Sequence, residues 1–208
     1  ARLAFLQGLG VFAAGNARLV SLFAYENAGL ASWLDAMAAG SVPTHLLVPQ
    51  GRIMGDLLRW LEVNELVPGQ VEQRGALSIQ ALPFVRQQDY DYLLWSCDFN
   101  AVRGEDSFVR AQLAGQPLLW HIYEQEEDAH WVKLNAFLAL YVKGLSAPAA
   151  RAFTGLWHAW NAGSDMAQSW NLLLEHWPEI TAHAEQWCLE QSLQADLAQA
   201  LVLFYRNW

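Results

Sequence analysis

The chain has 208 residues, 54% of them hydrophobic and only 16% charged, which excludes a disordered chain and allows one sizeable core. With 12 basic against 21 acidic residues the formal charge is −9, which argues against a broad nucleic-acid or anionic-membrane footprint. The two isolated cysteines, Cys97 and Cys188, give neither a disulfide framework nor a metal spacing and fit a reducing cytoplasm. No apolar run approaches a membrane span, and no secretory leader is read. The chain opens on Ala1 without an initiator Met, which leaves open that it is a piece of a longer protein.

In chain order, Leu3, Phe5, Leu6, Leu9 and Phe12 predict a short helix that turns at Gly15-Asn16. Residues 19–23 read as a first strand leaving through Tyr25-Glu26-Asn27, and Leu30, Trp33, Leu34 and Met37 predict a crossover helix over 28–39. Residues 44–48 read as a second strand that leaves through Pro49-Gln50-Gly51. Ile53, Leu57, Leu58 and Leu61 then mark a second helix. The polar stretch 64–76 reads as a loop, and the alternating residues 77–82 as a third strand followed by Pro83-Phe84-Val85-Arg86-Gln87-Gln88.

Two aromatic, apolar runs, residues 92–96 and 117–122, read as buried strands. Between them stand Arg103-Gly104-Glu105-Asp106-Ser107 and a helix over 108–114 that stops at Gly115, with Asp106 or Ser107 as its N-cap. The acidic run Glu124-Gln125-Glu126-Glu127-Asp128 reads as a solvated start to a helix carrying Trp131, Leu134, Phe137, Leu138 and Tyr141, closed by Gly144. From residue 147 onward the strand signals stop and aromatic stripes at helical spacing run to the end, with Leu193, Leu197, Leu201, Phe204 and Trp208 on the last helix.

Strands alternating with helices predict an α/β fold, a Rossmann-like parallel sheet with helices on both faces and a helical C-terminal tail. The domain reading is a core over 1–146 and a helical extension over 147–208. In such sheets ligands bind outside the carboxyl ends of the strands. That edge collects Phe23, Tyr25, Phe84, Gln87, Arg103, Glu105, Asp106, Ser107 and Tyr123. No Gly-rich dinucleotide fingerprint and no Walker loop is present, so dehydrogenase and ATPase readings are weak. Aromatic faces, an amide, a hydroxyl, a cation and a helix N-terminus suit a base, a ribose and a diphosphate together. Structural readings stand beside this one. Arg103-Gly104-Glu105-Asp106-Ser107 also fits an ordinary capped helix, Phe84 and Phe23 fit core positions, and Arg103 fits a surface ion pair. The six histidines show no ligand spacing, so no metal is read.

Several stretches together resemble one family: Phe84-Val85-Arg86-Gln87-Gln88-Asp89-Tyr90-Asp91-Tyr92-Leu93-Leu94-Trp95, then Val102-Arg103-Gly104-Glu105-Asp106-Ser107-Phe108-Val109-Arg110-Ala111, then Trp120-His121-Ile122-Tyr123, with Tyr25-Glu26-Asn27. They resemble the bacterial protein-arginine rhamnosyltransferases (the EarP family) that modify translation elongation factor P. Ala101 and Glu124 depart from the pattern, where an aromatic and a proline are expected. The resemblance covers residues 18–143 well and the tail more loosely. It implies the C-terminal, donor-binding half of a cytoplasmic, inverting GT-B enzyme that transfers L-rhamnose from dTDP-β-L-rhamnose to an arginine of elongation factor P. No cofactor, nucleic acid or membrane is involved in that reading.

By the same resemblance Phe84 stacks on thymine, Gln87 reads its edge and Phe23 lines the pocket. Tyr25, Asp106, Ser107 and Tyr123 surround the ribose, diphosphate and rhamnose, and Arg103 offsets the diphosphate charge. Glu105 is the candidate catalytic residue, with three readings: holding donor hydroxyls, orienting the acceptor arginine, or bracing Arg103. The general base is assigned by resemblance to an aspartate of the other half. A second reading, from another class, is a non-catalytic nucleotide-sugar or protein-interaction module.

Overall fold

A computed structural model describes residues 2–194 and 197–206. Its centre is a six-stranded sheet in the order β3-β4-β2-β1-β5-β6. The strands are β1 (Arg18–Leu22), β2 (Thr44–Val48), β3 (Val71–Arg74), β4 (Leu77–Ala81), β5 (Phe99–Arg103) and β6 (Leu118–His121). All neighbours are parallel except β3, which pairs antiparallel with β4. The helices are α1 (Arg2–Gly8), α2 (Leu30–Ala38), α3 (Met54–Leu61), α4 (Tyr90–Ser96), α5 (Glu105–Gln112), α6 (Ala129–Tyr141), α7 (Ala147–Asn161), α8 (Ala167–Glu175), α9 (Trp177–Ser192) and α10 (Leu197–Arg206).

Strand alternation divides the core. Val20, Leu22, Leu46 and Val48 face the larger cluster with α2, α3, α6, α7 and α8, while Leu19 and Leu47 face a smaller one with α1 and α4. The Rossmann-like expectation therefore holds, with helices on both faces. The tryptophan stripes are core: Trp33 stands edge-on to Trp160 at 5.2 Å and to Trp170 at 5.4 Å, and Phe99 to Trp170 at 5.3 Å. Helix α7 is tied to the sheet by Trp157, whose indole N–H donates to the Leu118 carbonyl at 3.0 Å.

Three local expectations fail. Residues 92–96 form part of helix α4, not a strand. Leu93, Leu94, Ser96 and Cys97 are buried while Tyr92 and Trp95 are half exposed, which is the spacing of a helix rather than an alternation. The strand is residues Phe99–Arg103 instead. It contains Asn100, a polar residue that conceals it in sequence. Asn100 is fully buried because its Oδ1 accepts from the Ser21 hydroxyl at 2.6 Å and its Nδ2 donates to the Leu94 carbonyl at 3.0 Å.

The second miss is β3, expected as loop. As an edge strand it carries exposed polar residues, and it returns into β4 through Gly75, held at φ 57° with its α-carbon against the Ala38 carbonyl. The third is the start of α5. It begins at Glu105, with Gly104 at the N-cap and no side-chain cap, so Asp106 and Ser107 lie in the first turn and do not cap it. The end near Gly115 (φ 68°) is as expected.

Candidate functional site

The parallel strands run β4-β2-β1-β5-β6, so the chain reverses direction across the sheet between β1 and β5. Loops leaving neighbouring strands on either side of such a reversal diverge and open a crevice. The crevice here lies between Phe23 to Asn27, after β1, and Arg103 to Ser107, after β5. Phe23 still pairs with β5 through its N–H to the Ala101 carbonyl at 2.8 Å, which fixes the floor before the loops part.

One side of the crevice is a cavity of about 340 Å³ lined by Phe23, Pro49, Gln50, Phe84, Val85, Gln87, Tyr90, Asp106 and Ser107. Phe84 is 82% exposed, so it is not a core residue but a free aromatic face at the rim. Gln87 is exposed beside it. The Tyr90 ring stands edge-on to Phe23 at 6.0 Å. Burial raises the Tyr90 phenol far above its ordinary range, although the Ser107 hydroxyl and the Arg103 and Arg110 charges draw it down a little.

The other side is an aromatic and cationic cluster around Tyr25. The Arg103 guanidinium lies 4.6 Å from the Phe23 ring centroid and 4.7 Å from that of Tyr25. Tyr25 also meets Tyr123 at 5.9 Å and His121 at 5.2 Å. Arg52 sits 5.5 Å from the Tyr25 ring and pairs with Glu26 at 2.9 Å. The Glu26 carboxyl is held below its usual range by its own backbone hydrogen bond and by Arg52.

The expected residues thus fall into two adjoining groups. Phe23, Phe84, Gln87, Asp106 and Ser107 line the cavity, and Phe23, Tyr25, Arg103 and Tyr123 form the cluster. The ion-pair reading of Arg103 fails, because no carboxylate among the described residues pairs with it. Asp106 pairs instead with Arg110 at 2.9 Å, and Arg110 reaches Asp91 at 2.9 Å. Glu105 does not brace Arg103. Its carboxylate takes the Lys133 ammonium at 3.0 Å, which holds it below the usual carboxylate range, and Lys133 lies 5.2 Å over the Trp120 ring.

The start of α5 completes the crevice. It has no side-chain cap, and its first-turn residues Asp106 and Ser107 line the cavity. Size alone does not mark this place. Hollows of about 630 Å³ at the other ends of the strands and about 700 Å³ between α6 and α9 are larger. Neither lies at the carboxyl ends of the parallel strands, where the crevice opens. Among the described residues no group of three His, Cys, Asp or Glu side chains is placed to hold a metal ion.

The sequence reading overlooked Gln50, Arg52, Tyr90, His121 and Lys133. The loop after β2 obeys the same carboxyl-end rule that selected the others, so Gln50 and Arg52 were within reach. Tyr90 was hidden by the misread of α4. Lys133 gave no local signal, since it reaches the crevice only through the packing of α6.

Comparison with known proteins supplies the decisive observation. Residues 1–206 match the family model described as Elongation-Factor P (EF-P) rhamnosyltransferase EarP. The chain belongs to the EarP family. It is 61% identical over 207 residues to a protein-arginine rhamnosyltransferase of Pseudomonas putida, covering 100% of this chain and 55% of that protein. A Pseudomonas aeruginosa protein of the same name is 52% identical over 204 residues, covering 98% of this chain and 54% of that protein. A solved structure from work on the structural basis for EarP-mediated arginine glycosylation of translation elongation factor EF-P matches with a TM-score of 0.90 and 58% identity. That match covers 99% of this chain and 66% of the other. The chain spans about half the length of the curated relatives it matches. No helix among the described residues is long and apolar enough to cross a membrane.

Proposed function

We propose that this chain is the donor-binding, C-terminal half of a GT-B protein-arginine rhamnosyltransferase, and that its crevice holds dTDP-β-L-rhamnose for transfer to an arginine of elongation factor P. The observation that carries the reading is the Arg103 guanidinium, held by two aromatic rings and no carboxylate, at the start of an uncapped helix beside an exposed Phe84.

Thymine stacks on Phe84 and meets Gln87. The diphosphate lies across the first N–H groups of α5, the Ser107 hydroxyl and Arg103, where cation and helix dipole offset the charge that grows on the leaving group. Tyr25 and Tyr123 wall the sugar, and Asp106 takes a sugar hydroxyl while paired with Arg110. In an inverting transfer a guanidinium nitrogen of the acceptor attacks the anomeric carbon, the bond from that carbon to the diphosphate oxygen breaks, and dTDP leaves. The nitrogen's proton goes to a base within hydrogen-bond reach, assigned to the other half of the enzyme. Glu105, a surface carboxylate already paired with Lys133, orients the incoming guanidinium. No cofactor enters the scheme.

In this proposal residues 1–146 are the donor core and 147–208 a helical extension. Its last helix turns toward the other half, in keeping with the exposed Leu201, Val202, Leu203, Phe204 and Tyr205 on α10. Trp208, expected on the same stripe, lies outside the described residues. The enzyme works in the cytoplasm, where its acceptor is found.

Titration of the chain with dTDP-rhamnose tests the reading. Amide shifts are expected at 23–27, 84–87, 103–107 and 123, and shifts confined to 147–206 overturn it. With elongation factor P added, the chain alone is expected to bind donor and transfer nothing. Turnover that vanishes in Glu105→Ala would place the base here and refute the division of labour.

A further inference from the structure

His121 ends β6, opposite Arg103 in the β5–β6 register, and is 8% exposed. Its ring is wedged edge-on between Tyr25 at 5.2 Å and Trp160 at 5.4 Å. Its Nδ1 is buried without a hydrogen-bond partner. A phenylalanine would fill the same slot between two aromatic rings without leaving a polar atom orphaned, so the imidazole calls for a chemical reason.

The charged and titratable groups around it are few. Arg103 faces it from β5, and Tyr25 and Glu26 from the loop after β1, with Glu26 already paired to Arg52. Tyr123 stands behind Tyr25, and α7 contributes the uncharged Trp160. Glu105 and Lys133 are paired with each other. Burial first and the Arg103 charge second push the imidazole down to about 4, with Glu26 acting the other way. Near neutral pH the imidazole is therefore uncharged.

We infer that His121 is a latent cation of the donor site, neutral beside the free Arg103 and taking up a proton when a dianionic diphosphate settles on that arginine. The inference rests on the reading of the crevice as a diphosphate site. Arg103 is the charge that opposes protonation. A dianion placed against it reverses the sign of the local charge, and the second ring nitrogen of His121 then gains a proton from solvent. No bond of the donor is made or broken in this step. A phenylalanine at this position would prop Tyr25 equally well but could not answer the ligand.

The test follows the His121 ring signal by NMR as a function of pH, in the free chain and in the chain saturated with a thymidine diphosphate sugar, whose diphosphate stays fully ionised over the range. The half-titration pH of His121 is expected to rise by about one unit or more on saturation, equivalent to about tenfold tighter binding across the transition. Thymidine, which lacks the diphosphate, should leave it unmoved. In His121→Gln and His121→Phe the affinity for the nucleotide sugar should lose its dependence on pH. A half-titration that stays or falls while the nucleotide sugar binds overturns the role of His121 and leaves the donor reading standing. A wild-type chain that binds no nucleotide sugar at any pH overturns both.

Discussion

The Arg103 guanidinium lies 4.7 Å from the centroid of the Tyr25 ring, and aromatic faces are its neighbours where Arg52, Arg86 and Arg110 have carboxylates. A cation held this way is oriented without being neutralised, which leaves its charge for a ligand. Arg103→Ala is expected to weaken dTDP binding by about 1.5–3 kcal/mol, the range for a hydrogen bond to a charged group, and to leave thymidine binding unchanged. Phe84→Ala should weaken both ligands by about 1–3 kcal/mol, since stacking acts on the base they share. Calorimetry with both ligands decides it, and equal losses for both variants would refute the separation of roles.

Gly104 supplies the bend that brings α5 to the crevice. It sits at φ 68° and ψ 173°, a region in which side chains are strained, and its carbonyl accepts from the Trp120 indole at 3.0 Å. An added β-carbon would meet only the Tyr25 hydroxyl at 4.0 Å, so the strain is conformational rather than steric. Gly104→Ala is expected to cost about 1–3 kcal/mol of stability and to weaken dTDP binding. A variant with unchanged urea midpoint and unchanged affinity would contradict this.

Asn161 fastens α7 to the end of β6. Its Oδ1 accepts from Ile122 N–H at 3.0 Å, while its Nδ2 donates to the Trp120 and Trp157 carbonyls, each at 2.9 Å. Asn161→Ala orphans buried backbone groups next to His121 and Tyr123, and should lower stability by at least about 2 kcal/mol. Chemical denaturation checks it, and a loss below about 0.5 kcal/mol would mean that water replaces the side chain.

Acid should destabilise the free chain through its buried imidazoles. Burial lowers both His45 and His121, the latter to about 4. An unfolded histidine titrates near about 6.5, so below that pH the unfolded chain binds protons that the folded chain refuses. The associated stability is complete above about 6.5 and drains away as pH falls toward the folded values. At a pH of about 5, His121 alone accounts for a loss of about 2 kcal/mol. Denaturation curves at pH values of about 7 and 5 measure it, and His121→Gln should remove the His121 share of the difference and leave that of His45.

Helix α10 contributes little to the stability of the rest. Leu201, Leu203, Phe204 and Tyr205 are all more than half exposed. Removing residues 197–208 should change stability by no more than about 0.5 kcal/mol, as expected for surface positions. A large drop in the melting temperature would show that α10 is docked in solution.

Hydrophobic periodicity and loop chemistry by themselves determined the α/β class, four of the parallel strands and the edge where the crevice opens. Those features are local: a buried strand such as Leu46-Leu47-Val48 or an amphipathic face such as Leu30, Trp33, Leu34 and Met37 writes its own pattern. Only the tertiary structure decided that residues 92–96 are helical and that β5 runs through Asn100, because burying that amide depends on Ser21 and on the Leu94 carbonyl from other elements. The pairing of charges was decided there too. Asp106, Glu105 and Arg103 are near neighbours in sequence. Their partners come from one helical turn along α5, from α6 and from the aromatic rings after β1. Residue types near a strand end can be read from a chain, but which cation is left unpaired is settled by distances between elements, and the sequence does not contain those distances.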